Sequence, residues 1–272
     1  MQLASPIAAP VRRLEPTATR QDLVLAKQQL RIMDQIALQW RARTQDPANG
    51  SSAARQERGI SALFAGPSGT GKSMAAEVLA NESGLGLYSV DLGQVISQYL
   101  GETERNLDSL FEATREAASL LFFDEADALF AKHTEVRDSH DRYADVDLNR
   151  LLLRIEDYRG IVILASNAKQ NIEPGFLRRL GYVVEFPFPD QAQRTEIWRR
   201  IFPPDTPVEG LNPECLARLP LSGGNIRDIA RASASIAARE GQPVRMSHLL
   251  RAAESECAKM DRSIDLAAIT RP

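Results

Sequence analysis

Eight residues, Gly66-Pro67-Ser68-Gly69-Thr70-Gly71-Lys72-Ser73, constrain the fold of this chain more than any others. They follow the apolar run Ile60–Ala65 and precede a helical pattern, so a buried strand must become a helix across a loop containing three glycines. Chemistry accounts for each fixed position. Glycines let backbone N–H groups curl around an anion, and the helix that follows turns its positive end towards it. Lys72 can reach terminal phosphates and Ser73 can ligate magnesium. The loop and the adjoining Met74 are therefore assigned to a nucleoside triphosphate, with Mg²⁺ as its expected companion.

The rest of the chain supplies a sheet for that loop. Short apolar runs at Ile60–Ala65, Leu87–Val90, Leu120–Phe123, Ile161–Ala165 and Val183–Phe186 alternate with longer helical patterns, as expected of strands buried on both faces of a parallel sheet. The run Leu120–Phe123 ends in Asp124-Glu125, which delivers two carboxylates to the C-terminal edge of the sheet, where open α/β sheets bind ligands. Asp124 is expected to hold the magnesium shell, and Glu125 to orient and polarise an attacking water.

On either side of this block the pattern changes. Apolar residues Leu23, Ala26, Leu30, Met33, Ala37 and Trp40 recur at helical spacing from Asp22 to Trp40, and the polar stretch after Thr44 reads as a loop. Residues 1–58 are expected to form a helical arm and linker, and 59–189 the nucleotide-binding domain. Past Pro187 and Pro189 the strand signals stop. Helical patterns at Arg194–Phe202, Pro213–Leu219, Asn225–Arg239 and Met246–Met260 place a small all-helical domain over 190–272.

Composition weighs against several function classes. A net charge of −3 gives no basic footprint for nucleic acid. Met1–Val11 lacks the basic and apolar regions of a secretory signal, and no run approaches the ~20 apolar residues of a spanning helix. A cytoplasmic protein without a membrane partner is expected. Cys215 and Cys257 have no metal-ligand spacing and read as reduced, semi-buried side chains. His140, among acids in the polar segment 138–143, reads as solvated, so no metal beyond nucleotide-bound magnesium is expected.

Taken in order, GPSGTGKS, LLFFDEAD, ILASN at Ile163–Asn167 and FLRRL at Phe176–Leu180 resemble the AAA+ ATPases, from about Gly59 to the C-terminus. The resemblance implies a P-loop NTPase of three α/β/α layers on a five-stranded parallel sheet, followed by a helical lid. It implies an ATPase working as a ring of identical subunits, six by expectation, with Asn167 helping Glu125 to place water and sense the γ-phosphate. Arg178 and Arg179 match the paired arginines that reach a neighbouring subunit's nucleotide. Arg227, in the lid segment SGGNIRDIA, matches the arginine that feels the γ-phosphate within its own chain. Tyr99-Leu100-Gly101, followed by Glu102-Thr103-Glu104, looks like the aromatic pore loop of rings that thread polypeptides. With DSHDRYAD at 138–145, the whole looks closest to small bacterial AAA ATPases, including those that accompany phage-tail-like contractile injection systems, and this resemblance implies a client protein, with a component of such a system as one candidate.

Two other readings share these motifs. A DNA-associated loader or initiator would show DNA-stimulated turnover with a steep salt dependence. An ATP-dependent assembly scaffold that does not thread would tolerate Tyr99→Ala.

Overall fold

The structure is a computed structural model that describes residues 11–45, 59–92, 108–112, 114, 119–127 and 151–260. The chain forms two compact units. One runs to Pro67 and from Lys72 to Phe186; the other joins Ser68–Gly71 to the segment from Pro187 onward.

The first unit is built on a sheet of six strands: β1 (Val11–Leu14), β2 (Ile60–Ala65), β3 (Gly86–Asp91), β4 (Ser119–Asp124), β5 (Ile161–Ser166) and β6 (Tyr182–Glu185). Their order is β1-β3-β4-β5-β2-β6. All neighbours are parallel except β1 and β3. The five strands read from apolar runs are present, and the edge strand β1 is additional. Its sequence, Val-Arg-Arg-Leu, neither alternates nor forms a continuous apolar run, and its two central arginines are exposed. Charge on a short edge strand discourages further pairing, and it also conceals the strand from a pattern search.

Both faces of the sheet are covered, which is why β2 and β5 are buried at every position. Alternate residues serve opposite cores, as the period of two requires. Ala62, Phe64, Ile161 and Ile163 pack with helices α1 (Lys27–Gln45) and α2 (Lys72–Ser83), through Met33, Ile36, Ala37, Trp40, Ala76 and Leu79. Leu63, Val162 and Leu164 face Leu110, Phe111, Leu152, Ile155 and Phe176 on the other side. Each large apolar side chain buried in this way contributes about 1.5–3 kcal/mol. The N-terminal segment thus adds an edge strand and a covering helix to this unit. Helix α1 begins at Lys27 rather than Asp22 because the Asp22 carboxylate accepts hydrogen bonds from the Thr19 N–H at 2.8 Å and hydroxyl at 2.7 Å, closing a turn there.

Register sets the working edge. Ala65 of β2 pairs with Ser166 of β5, and Phe123 of β4 pairs with Leu164, so Gly66, Asn167 and Asp124 leave the sheet at nearly the same level. Beyond them, α3 (Pro174–Leu177) is a single turn anchored by buried Phe176.

The second unit is helical: α4 (Gln191–Arg200), α5 (Pro213–Leu216), α6 (Gly223–Glu240) and α7 (Met246–Ala258). Capping boxes Asp190/Gln193 and Ser222/Asn225 start α4 and α6, and Gly241 ends α6 at φ 64°. Trp198, Leu221, Ile226, Ile229, Leu249 and Ala253 fill its core. Among the described residues no helix is long and apolar enough to cross a membrane.

Candidate nucleotide site

The phosphate loop begins under steric compulsion. Gly66 donates its N–H to the Ser166 carbonyl at 3.0 Å, and the Phe186 N–H donates to Ala65 O at 2.7 Å. A Cβ on Gly66 would lie 2.0 Å from the Phe186 carbonyl oxygen, so no side chain fits. Gly69 and Gly71 take φ values of 76° and 102°, which lets the backbone curl where an L side chain would be strained. Within the helical unit the loop tip is held by its backbone. The Gly224 N–H donates to Gly69 O at 2.9 Å, and a Cβ on Gly69 would sit 2.5 Å from Ser222 Oγ.

Helix α2 starts at Lys72, so its first-turn N–H groups have no acceptors within the helix and, with the helix dipole, favour an anion. Lys72 is 8% exposed, and its ammonium donates to Gly66 O (2.5 Å), Pro67 O (3.0 Å) and Asn167 Oδ1 (3.0 Å). Three donors find three acceptors. Burial holds the Lys72 ammonium below the usual lysine value, and the carboxylates of Asp124 and Asp127 partly offset this. The structure therefore brings together two residues far apart in sequence, Lys72 and Asn167, and sets Lys72 near the carboxylates of Asp124 and Asp127.

The acids sit on a tight turn. Asp124 ends β4 exposed to solvent and accepts the Glu125 N–H at 3.0 Å. Glu125, also exposed, has φ 52°, a left-handed conformation costing a non-glycine residue about 1–2 kcal/mol. What holds it there is the next residue, whose N–H donates to Ala165 O at 2.8 Å. Asp127 follows, and its carboxylate accepts from the Ser166 hydroxyl (2.6 Å) and the Asn167 N–H (2.8 Å). Sequence reading gave Asp127 no place. Its only signal there is a third acid two positions after Glu125, which reads equally well as a solvated helix start.

Arg178 and Arg179 follow α3 and are both exposed. Arg179 Nε donates to Glu156 Oε1 at 2.9 Å, whereas Arg178 makes no ion pair among the described residues. Arg227 lies exposed near the start of α6, in the helical unit. Ser73 is exposed at the start of α2. Tyr99, Leu100, Gly101 and His140 lie outside the described residues.

Comparison with known proteins agrees with this geometry. Residues 62–188 match the family model described as ATPase family associated with various cellular activities (AAA). The chain is similar to an uncharacterized AAA family ATPase of Sinorhizobium fredii, with 35% identity over 67% of this chain and 54% of that protein. It is also similar to a proteasome-activating nucleotidase of Saccharolobus islandicus, 32% identical over 66% of this chain and 48% of that one. An ATP-dependent zinc metalloprotease of Sphaerobacter thermophilus is 30% identical over 69% of this chain and 40% of its own. The chain spans about half the length of the curated relatives it matches. The sheet covered on both faces, the glycine-shaped phosphate loop and these likenesses together show a P-loop NTPase fold whose residues 62–188 match the AAA family.

Proposed function

We propose that the chain binds ATP at Gly66–Met74 and hydrolyses it, working in a ring of identical subunits that remodels, threads or assembles client proteins. The observation that carries this reading is the Lys72 ammonium, held by two loop carbonyls and by Asn167 near the carboxylates of Asp124 and Asp127. Such a cation is stored where a triphosphate can take it over. Anionic oxygens outcompete neutral carbonyls for an ammonium.

Ser73 and Asp124 offer a hydroxyl and a carboxylate, both exposed, and hard oxygen donors of this kind suit magnesium. When bound there, magnesium supplies charge neutralisation at the phosphate oxygens. The N–H groups of the loop bind the phosphates, and Lys72 takes charge from the terminal ones. Glu125 orients and polarises the attacking water, and Asn167, released from Lys72, fixes its position. Arg178 of a neighbouring copy neutralises charge in the transition state, while Arg179, engaged by Glu156, positions that edge. Arg227 retains the nucleotide-sensing role given by the resemblance, and Tyr99-Leu100-Gly101 the grip on a client.

The relatives' names, a proteasome-activating nucleotidase and a zinc metalloprotease, support a protein client over a nucleic acid. They give no support to a component of a contractile injection system, which rests on the sequence resemblance.

Turnover per subunit should rise with protein concentration as copies assemble. Arg178→Ala should cut it by about 100-fold or more and Arg179→Ala by less, since a guanidinium on a transferring phosphoryl group is worth at least that much. Steady-state phosphate release across a dilution series measures both. A specific activity independent of concentration, with Arg178→Ala as fast as wild type, would rule out the shared site.

A further inference from the structure

We propose that Asp127 is a positioning residue that locks the two water-directing groups of the site, Glu125 and Asn167, into one rigid unit. This inference rests on the ATP hydrolysis argued above. The observations are a set of three bonds between the acidic turn and the end of β5. The Ala126 N–H reaches Ala165 O at 2.8 Å, the Ser166 hydroxyl reaches Asp127 Oδ1 at 2.6 Å, and the Asn167 N–H reaches Asp127 Oδ2 at 2.8 Å. Both oxygens of one carboxylate are thus used on consecutive residues of one strand end.

Each bond acts on a reacting group at one remove. Glu125 sits in a left-handed conformation at φ 52°, which persists only if its neighbours over-determine it. It is flanked on one side by β4 and on the other by Ala126 and Asp127, both fastened to β5. Asn167 follows the last residue of β5, and its backbone is fixed by Asp127 while its side chain meets Lys72. The Ser166 hydroxyl, fully buried, also accepts the Ala168 N–H at 3.1 Å, so the clamp extends past Asn167. Without the Asp127 carboxylate a buried hydroxyl and a backbone N–H would lose their acceptor, and the Asn167 backbone would be free to turn. Asp127 itself never needs to touch the nucleotide.

The test is a steady-state comparison on the full chain, with magnesium and ATP. Asp127→Ala should lower kcat by about 30-fold, the size of a lost charge-assisted hydrogen bond, while KM for ATP stays within about two-fold. Asp127→Asn keeps one acceptor oxygen and should recover part of that loss, and Ser166→Ala, which removes one of the two bonds, should cost several-fold. The distinguishing arm is a cycle with Asn167→Ala. If Asp127 acts through Asn167, the double variant should be no more than about three-fold slower than Asn167→Ala alone. Fully multiplicative losses, or a raised KM with unchanged kcat, would overturn the assignment and leave Asp127 a fold element or a binding group. Should Asp127→Ala fail to fold, Asp127→Asn and Ser166→Ala at wild-type kcat would overturn it equally. A wild-type chain that releases no phosphate would remove the hydrolase reading and this inference with it, whereas active wild type with an unaffected Asp127→Ala removes this inference alone.

Discussion

Glu125→Gln should bind ATP as tightly as the wild type and turn it over at least about 100-fold more slowly, the range in which loss of a positioned general base falls. The substitution keeps shape and removes only the charge that attracts a proton from water. Glu125 is exposed at the working edge and lies outside both cores of the α/β unit, so the fold should not register the change. Its backbone strain belongs to the main chain, which the substitution leaves alone. Calorimetry with ATP and a phosphate-release assay on the same sample separate the two effects. Turnover within about three-fold of wild type would remove Glu125 from the chemistry.

Lys72→Ala should act one step earlier, on binding. Charge-assisted contacts to phosphate oxygens contribute roughly 1.5–3 kcal/mol each, so loss of the ammonium should weaken ATP binding by about 100-fold. Ordinary thermal melts with ATP read this directly, as a ligand-induced rise in Tm that disappears. The pH dependence follows from burial. Lys72 lies below its usual 10.5 in the free chain, with Asp124 and Asp127 only partly offsetting desolvation. ATP affinity that depends on the charged form should therefore begin to fall on the alkaline side before that value. For stability of the nucleotide-free chain the sign is reversed. A base whose folded value lies below its unfolded one weakens folding while charged, and that penalty is relieved as pH rises through the lowered value. At alkaline pH affinity should thus fall while the contribution of Lys72 itself to stability rises. A comparison of the pH dependence of Tm between wild type and Lys72→Ala isolates that contribution from the tyrosines Tyr158 and Tyr182, whose raised values act the other way.

Those parts of the fold that bury side chains on two sides were legible in the sequence. Leu120–Phe123 and Ile161–Ala165 could be read as strands because both faces of the sheet are covered, and apolar runs are what such burial requires. Val11–Leu14 was not legible, since an edge strand pairs on one side and carries Arg12 and Arg13 where a central strand would carry apolar residues. The start of α1 was misplaced because Leu23 is buried at helical spacing while lying outside the helix, on a turn closed by Asp22. In the candidate site, Lys72, Asp124 and Glu125 are singled out by the loop and the end of β4, and Asn167 by the resemblance alone. Their contacts were not legible. Lys72 meets Asn167 across 95 positions, and nothing in either local pattern encodes that meeting. Asp127 was missed for the same reason: its partners, Ser166 and Asn167, come to it only through the register of β4 on β5. Likewise the Arg179–Glu156 pair separates two adjacent arginines that the sequence offered as equals.

Mixing two inactive proteins shows whether a second copy completes the triphosphate site. Lys72→Ala subunits lack the ammonium but keep Arg178, and Arg178→Ala subunits keep a whole phosphate loop but cannot complete their neighbour's. In an equimolar mixture roughly a quarter of head-to-tail interfaces should join an intact loop to an intact arginine. Phosphate release should then rise well above that of either variant alone. A mixture that co-assembles and stays as inactive as its components would mean that no neighbouring arginine completes the site.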